Sequence, residues 1–276
     1  MIRLKLYVVA LICVVALVIT LGIGITLWLG FQTEPSEERA QRFSEQLDIQ
    51  TSDGMLPIAL LIGPIGLARD VMRATIEGLP TSVTLVFSPY TSDLERWLSR
   101  NRNLQRETLI ELPVQSTTYP INDPGPMALS PTLTENENLS FAQPILKLKN
   151  MINGVVMTVP GGGIANFEKN SPIIEKVVDY FADESVTIID GTRLITMTTD
   201  STRITWSYWW GPSTQDFELF LNSLSREIHR NRGGIVHINV SPQILPTLAA
   251  WIDNLPQQNI TILPISEFIE YTPPTG

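Results

Sequence analysis

Residues 57–64 read Pro57-Ile58-Ala59-Leu60-Leu61-Ile62-Gly63-Pro64. The five apolar residues between the prolines are too few for a buried helix and show no polar–apolar alternation. A strand buried on both faces, as in a parallel sheet covered by helices, has this pattern. Similar runs recur outward from it, at Val83–Phe87, Thr108–Leu112, Gly154–Val159, Val186–Asp190, Arg203–Tyr208, Gly234–Asn239 and Ile260–Leu263. Helix-compatible segments lie between them: Leu67–Glu77, Asp93–Asn101, Ile173–Asp183, Gln215–Arg230 and Ile244–Asp253. Asp93 is an N-cap type of residue, and Pro172 stands where a first helical turn begins. Strands alternating with helices predict an α/β domain, either a doubly wound sheet or a barrel. The Pro-rich stretch Gln115–Pro131 has neither period, and a loop that long in a compact domain usually wraps over a site.

The chain begins differently. From Leu6 to Phe31 no residue is charged, Arg3 and Lys5 precede the run, and Glu34, Glu37 and Glu38 follow it. The run exceeds the ~20 residues a helix needs to cross a bilayer. The charge bias predicts a single-pass anchor of the plasma membrane, with a cytoplasmic N-terminus and the rest outside. A cleaved signal peptide is the competing reading; its apolar region would be shorter and end in a small-x-small site, which is absent after Trp28. The resulting plan is an anchor over 1–31, a linker over 32–56, one domain over 57–270 and a tail over 271–276.

Net charge is −9, from 28 acidic and 19 basic residues. Without Arg3 and Lys5 the remainder carries 28 acids against 17 bases, a charge of −11. Phosphate backbones repel such a domain, so nucleic acid is not an expected partner. The one cysteine, Cys13, lies in the apolar run, which excludes an intrachain disulfide and a thiolate zinc site. Gly161-Gly162-Gly163 lacks a following Gly-Lys-Ser/Thr, and Lys169 is badly spaced, so it is not a phosphate loop. No Gly-x-Ser-x-Gly elbow is present.

Several blocks together resemble the divergent polysaccharide deacetylase family. They are Val83–Tyr90, Glu107–Pro113, Tyr119-Pro120-Ile121-Asn122-Asp123-Pro124-Gly125-Pro126, Ile189–Arg193 and Ile262–Glu267. The resemblance spans Pro57 to Phe268 and implies an irregular (β/α) barrel. It also implies a bacterial envelope setting, a divalent metal, usually zinc, and removal of acetyl groups from N-acetylated sugars. That chemistry needs a Lewis acid to polarise the carbonyl and activate water, with a carboxylate as base.

The resemblance supplies those groups from four blocks, and this sequence departs at each. Gly63-Pro64 stands in place of the paired aspartates of Ile-Asp-Asp-x-Gly. Glu111 stands for the histidine and Gln115 for the glutamate of His-Leu-Pro-Met-Glu. Val159-Pro160-Gly161-Gly162 replaces His-Met-Gly-Ser. Asn239 falls at the histidine of the late Gly-His-Pro block, with His237 two residues earlier. Glycine, proline and valine cannot bind a metal or take a proton. The chain has two histidines, and His229, in a basic helical stretch, reads as solvent-facing.

The reading is therefore a glycan- or protein-binding module of the cell envelope with the catalytic apparatus lost and no cofactor. Zinc is expected only if the family mechanism survives. The alternative is an active carbohydrate or peptidoglycan N-deacetylase with a rearranged site built from Glu111, Asp123, Asp190 and His237. A third reading is a purely structural partner docking through an apolar patch. Glu111, Asp190 and His237 are the candidates for chemistry; Asp123, Asp190, Arg193, Asn239, Trp209 and Trp210 are the candidates for ligand binding. For Asp190 a ligand contact competes with a carboxylate held by Arg193 or by loop amides. His237 reads first as a buried, hydrogen-bonded histidine. The cluster Trp206, Tyr208, Trp209 and Trp210 could stack sugar rings or fill the core.

Overall fold

In the computed structural model, residues 54–161, 163–194, 203–205, 208–211 and 216–270 are described. The anchor and most of the linker expected over 1–53, Gly162, Trp206 and the tail from 271 lie outside them. Among the described residues no helix is long and apolar enough to cross a membrane.

The first strand, β1 (Leu56–Ile65), is buried along nearly its whole length, as its unbroken apolar run requires. The others are β2 (Thr84–Phe87), β3 (Thr108–Pro113), β4 (Gly154–Thr158), β5 (Ile188–Asp190), β6 (Arg203–Thr205), β7 (Tyr208–Trp210), β8 (Gly234–Ile238) and β9 (Ile260–Ile262). The helices are α1 (Arg69–Gly78), α2 (Leu94–Asn103), α3 (Glu135–Leu146), α4 (Pro172–Ala182), α5 (Phe217–Asn231), α6 (Leu245–Asp253) and α7 (Ile265–Glu270).

Every strand pair is parallel, in the order β6-β5-β4-β3-β2-β1-β8-β7, with β9 added to β1. The sequence pattern predicts one strand over Arg203–Tyr208. The chain instead forms two, β6 on β5 and β7 on β8, at opposite edges of the sheet. Residues 206 and 207 alone separate them, so Thr205 and Tyr208 lie at most about 11 Å apart by Cα. The edges therefore approach each other and the sheet curls into an incomplete barrel.

Side chains two apart share a face of a strand. Ala59, Leu61, Val86, Leu109, Val156, Ile189 and Ile235 make one buried cluster, the barrel interior, joined by Ile265 and flanked by Trp209, Phe268 and Ile269. The opposite pleat is equally apolar: Leu60, Leu85, Ile110, Val155 and Val236 are fully buried under the helices. The cluster places α7 across the N-terminal end of the barrel. The Ile265 N–H donates to Thr84 Oγ1 at 3.2 Å and the Ser266 N–H to Glu107 Oε2 at 3.0 Å, both at the starts of strands. The far end of the barrel, where the strands finish, carries the loops and candidate residues.

Beyond the split at 203–210, α7 has no counterpart among the expected helices, and two other elements differ from the sequence pattern. Helix α3 follows the Pro-rich stretch with no expected counterpart. It starts with a capping box in which Thr134 and Glu137 satisfy each other's backbone N–H, and it tolerates Pro144 in its last turn. Asp93 does precede α2, but with φ at 57° and without a side-chain capping bond. Pro172 begins α4 as expected.

Candidate functional site

Glu111 lies two residues after Leu109 on β3 and so enters the barrel interior. It is 4% exposed, and Thr158 Oγ1 of β4 donates to its Oε1 at 2.5 Å. Burial pushes its carboxyl up to about 7 against the lowering effect of that hydrogen bond.

His237 shares this interior. It follows Ile235 by two on β8, with Leu61 and Trp209 as its register partners. Burial drives the imidazole down to about 3, opposed by an interaction with the Gly63 backbone. Burial thus favours the neutral form of the ring, which is buried as the sequence suggests.

Gly63 itself leaves no room for a side chain. A Cβ built there would sit 2.2 Å from the Val86 carbonyl oxygen, and its φ is +151°. The β1–β2 register shifts between Ile62 and Ile65, so the backbone bulges where the resemblance puts two aspartates.

Gln115, at the glutamate position, is a buried strut. Its Oε1 accepts from Ser130 Oγ at 3.2 Å and Asn166 Nδ2 at 3.1 Å, tying together the loops after β3 and β4.

Asp190 is adjacent to Ile189 and therefore points to the other side of the sheet from Glu111. Its Oδ1 accepts from Thr192 N at 2.8 Å, Thr192 Oγ1 at 2.6 Å and Arg193 N at 3.1 Å. Of the two readings, this geometry matches a carboxylate held by loop amides; Arg193 contributes its backbone at φ 61°.

Asp123 is exposed and accepts from the Gly125 N–H at 2.8 Å within its own loop. That loop seats on Tyr90, whose hydroxyl donates to Pro124 O at 3.1 Å and accepts from Met127 N at 3.0 Å. Gly125, at φ +91°, is needed because a Cβ would come within 2.6 Å of the Tyr90 hydroxyl. Burial raises the Tyr90 phenol, and the carboxylates of Glu111 and Asp123 raise it further. Tyr90 thus pins the covering loop, a role that residue types and spacing do not reveal.

The aromatic residues are divided by the pleat. Trp210 is buried and packs on Phe217 and Phe220 of α5, with centroids 5.2 and 5.0 Å away. Trp209 borders the interior cluster, its ring lying over Gly211. The Asn239 N–H donates to Trp210 O at 3.0 Å, while its buried Oδ1 has no hydrogen-bond partner among the described residues. His229 is exposed, as expected.

Zinc requires three or more converging donors. Among the described residues no three of His, Cys, Asp and Glu are placed to share an ion. Glu111 and Asp190 lie on opposite sides of the sheet, and Asp123 is in an outer loop. The described residues do not fit the metal that the resemblance implies.

The curled parallel sheet, with loops gathered at its strand ends, is an α/β half-barrel. The chain belongs to the divergent polysaccharide deacetylase family, whose model matches residues 60–200. No curated protein matches it in sequence. Among solved structures it is similar to an uncharacterized protein from Agrobacterium tumefaciens C58, with 18% identity and a TM-score of 0.65 over 79% of this chain and 91% of that one. It is also similar, at 11% identity and a TM-score of 0.47, to the catalytic domain of a peptidoglycan N-acetylglucosamine deacetylase from Eubacterium rectale, over 82% of this chain and 93% of that one.

Proposed function

We propose that this protein is a non-catalytic member of its family, a binding module for an envelope glycan or envelope protein. On this reading residues 6–31 hold it in the plasma membrane and the domain faces away from the cytoplasm. The observation that carries the proposal is Gly63. The first-strand position of the family's carboxylates lacks a ligand and also lacks the space for one. The barrel interior beneath it is filled by apolar side chains, a carboxyl near neutrality and an uncharged imidazole.

Binding is supported by the rim. Tyr119 and Ile121, on the loop after β3, are 49% and 88% exposed, and Ile164, on the loop after β4, is 75% exposed. A Thr117 N–H to Ile164 O hydrogen bond of 3.0 Å and a Ser116–Ala165 bridge join the two loops. Large apolar side chains gathered on one rim mark a contact surface.

The alternative, a rearranged hydrolase, has one observation in its favour. A buried carboxyl at about 7 is poised for proton transfer. One set of assays separates the two readings. Full-length protein is titrated with zinc and cobalt, then offered acetylated chito-oligosaccharides and peptidoglycan with acetate release as the readout. The proposal expects no stoichiometric metal uptake, no acetate, and retention on peptidoglycan or on an envelope protein. Acetate release abolished by Glu111→Gln would replace it with the hydrolase.

A further inference from the structure

A cleft of about 450 Å³ between α1 and α2 is lined by Arg69, Arg73, Glu77, Asp93, Arg96, Trp97 and Arg100. Four guanidinium groups against two carboxylates leave it positive in a chain of net charge −9. The pairs Arg69/Arg73 and Arg96/Arg100 are each one helical turn apart, an arrangement of like charges that weakens a helix. Arg100 is partly compensated, by Glu77 at 3.4 Å and by the face of Trp97 at 5.6 Å. The side chains of Arg69, Arg73 and Arg96 make no hydrogen bond or ion pair among the described residues. Among the described residues, three guanidinium groups without a close ion pair thus line one concave site.

We propose that this cleft binds a phosphate group. Planar guanidinium forks match phosphate oxygens in pairs, and several forks from two helices suit a compact, multiply charged oxyanion. Arg69 opens α1 and Arg96 lies in the first turn of α2, so the positive helix ends add to the field at one end of the cleft. Trp97 adds an apolar surface to the lining for the organic part of a phosphate ester. The same group occurs free in solution, as pyrophosphate or a phosphate ester, and on a phospholipid headgroup.

The test is calorimetric titration of the full-length protein at low ionic strength with two probes. One is inorganic pyrophosphate and the other glycerophosphoglycerol, the water-soluble headgroup of phosphatidylglycerol. The double variant Arg69→Ala/Arg73→Ala is compared with Lys176→Ala, an exposed cation on another helix. Saturable binding of either probe is expected, weakened about tenfold or more in the double variant and unchanged in Lys176→Ala. Tighter binding of pyrophosphate assigns a soluble phosphate source, and tighter binding of the headgroup assigns a lipid one. No saturable binding of either probe, or equal binding by the double variant, overturns the proposal. All three positions are exposed, and matching thermal melts confirm that any loss reflects the cleft.

Discussion

The Val86 carbonyl oxygen occupies the space into which a side chain on Gly63 would grow, 2.2 Å from where its Cβ would sit. Strand β1 thus approaches β2 by its bare backbone at the position where the family resemblance calls for a metal ligand. Gly63→Asp replaces the missing carboxylate in name, yet it must push β1 off β2 and accept a backbone conformation that L-residues disfavour. The expected outcome is a loss of about 2–4 kcal/mol in urea denaturation, from overpacking and strain together, with no gain in zinc uptake. A Gly63→Asp protein as stable as the parent and binding zinc would show that the carboxylate alone was lacking.

Much of the fold was legible because burial on both faces leaves a strong mark. Ile58–Ile62 permits little but a central parallel strand, and the block Tyr119–Pro126 identified the family through residues that seat its loop on Tyr90. The path of 203–210 was not legible. A short apolar strand carries no sign of which neighbour it will pair with, and here the choice changes within two residues. Helix α3 was hidden by Asn136, Asn138 and Pro144, which erase its apolar period, although the Thr134/Glu137 box was readable. At the site, the replacement of the first-block aspartates by Gly63-Pro64 was plain from sequence. The pleat that sends Asp190 away from Glu111 becomes visible only once strand registers are known.

Glu111 and His237 give the stability a pH dependence of two signs. The Glu111 carboxyl rises from 4.5 unfolded to about 7 folded, so between these values the native state holds more protons and stability falls as pH rises. The full effect is about 3 kcal/mol lost above pH 7. His237 falls from 6.5 to about 3, so the unfolded state holds more protons in that interval and stability falls as pH drops. The two slopes oppose each other between pH 4.5 and 6.5, where the parent protein is expected to be most stable. Glu111→Gln keeps the Thr158 contact and is expected to be clearly more stable than the parent at pH 8 and close to it at pH 4.5. Urea denaturation across this range checks both; equal stability gains at the two ends would contradict the assignment.

Tyr90→Phe removes one hydroxyl that serves two backbone groups, Pro124 O and Met127 N. The ring still packs against Gly125, so the loop keeps its seat but loses its pins. A cost of about 1–2 kcal/mol is expected, with faster proteolysis confined to residues 119–127. Unchanged protection of that loop would show that packing alone holds it.

Arg106 is 4% exposed and has no carboxylate partner among the described residues. Its guanidinium donates to Ile76 O at 2.9 Å and to Leu79 O, at the C-terminal end of α1 where carbonyls lack helical donors. Burial lowers its pKa to about 10, which still leaves it charged, and the helix end supplies the compensating negative potential. Arg106→Met keeps most of the volume but leaves these carbonyls buried and unpaired. A loss of about 2–3 kcal/mol is expected, alongside increased hydrogen exchange in the last turn of α1. Arg106→Lys should recover less than half of it, because one ammonium cannot reach both carbonyls with the geometry of the fork. Full recovery by lysine would mean that charge at the helix end, and not the paired geometry, is what holds α1 to the start of β3.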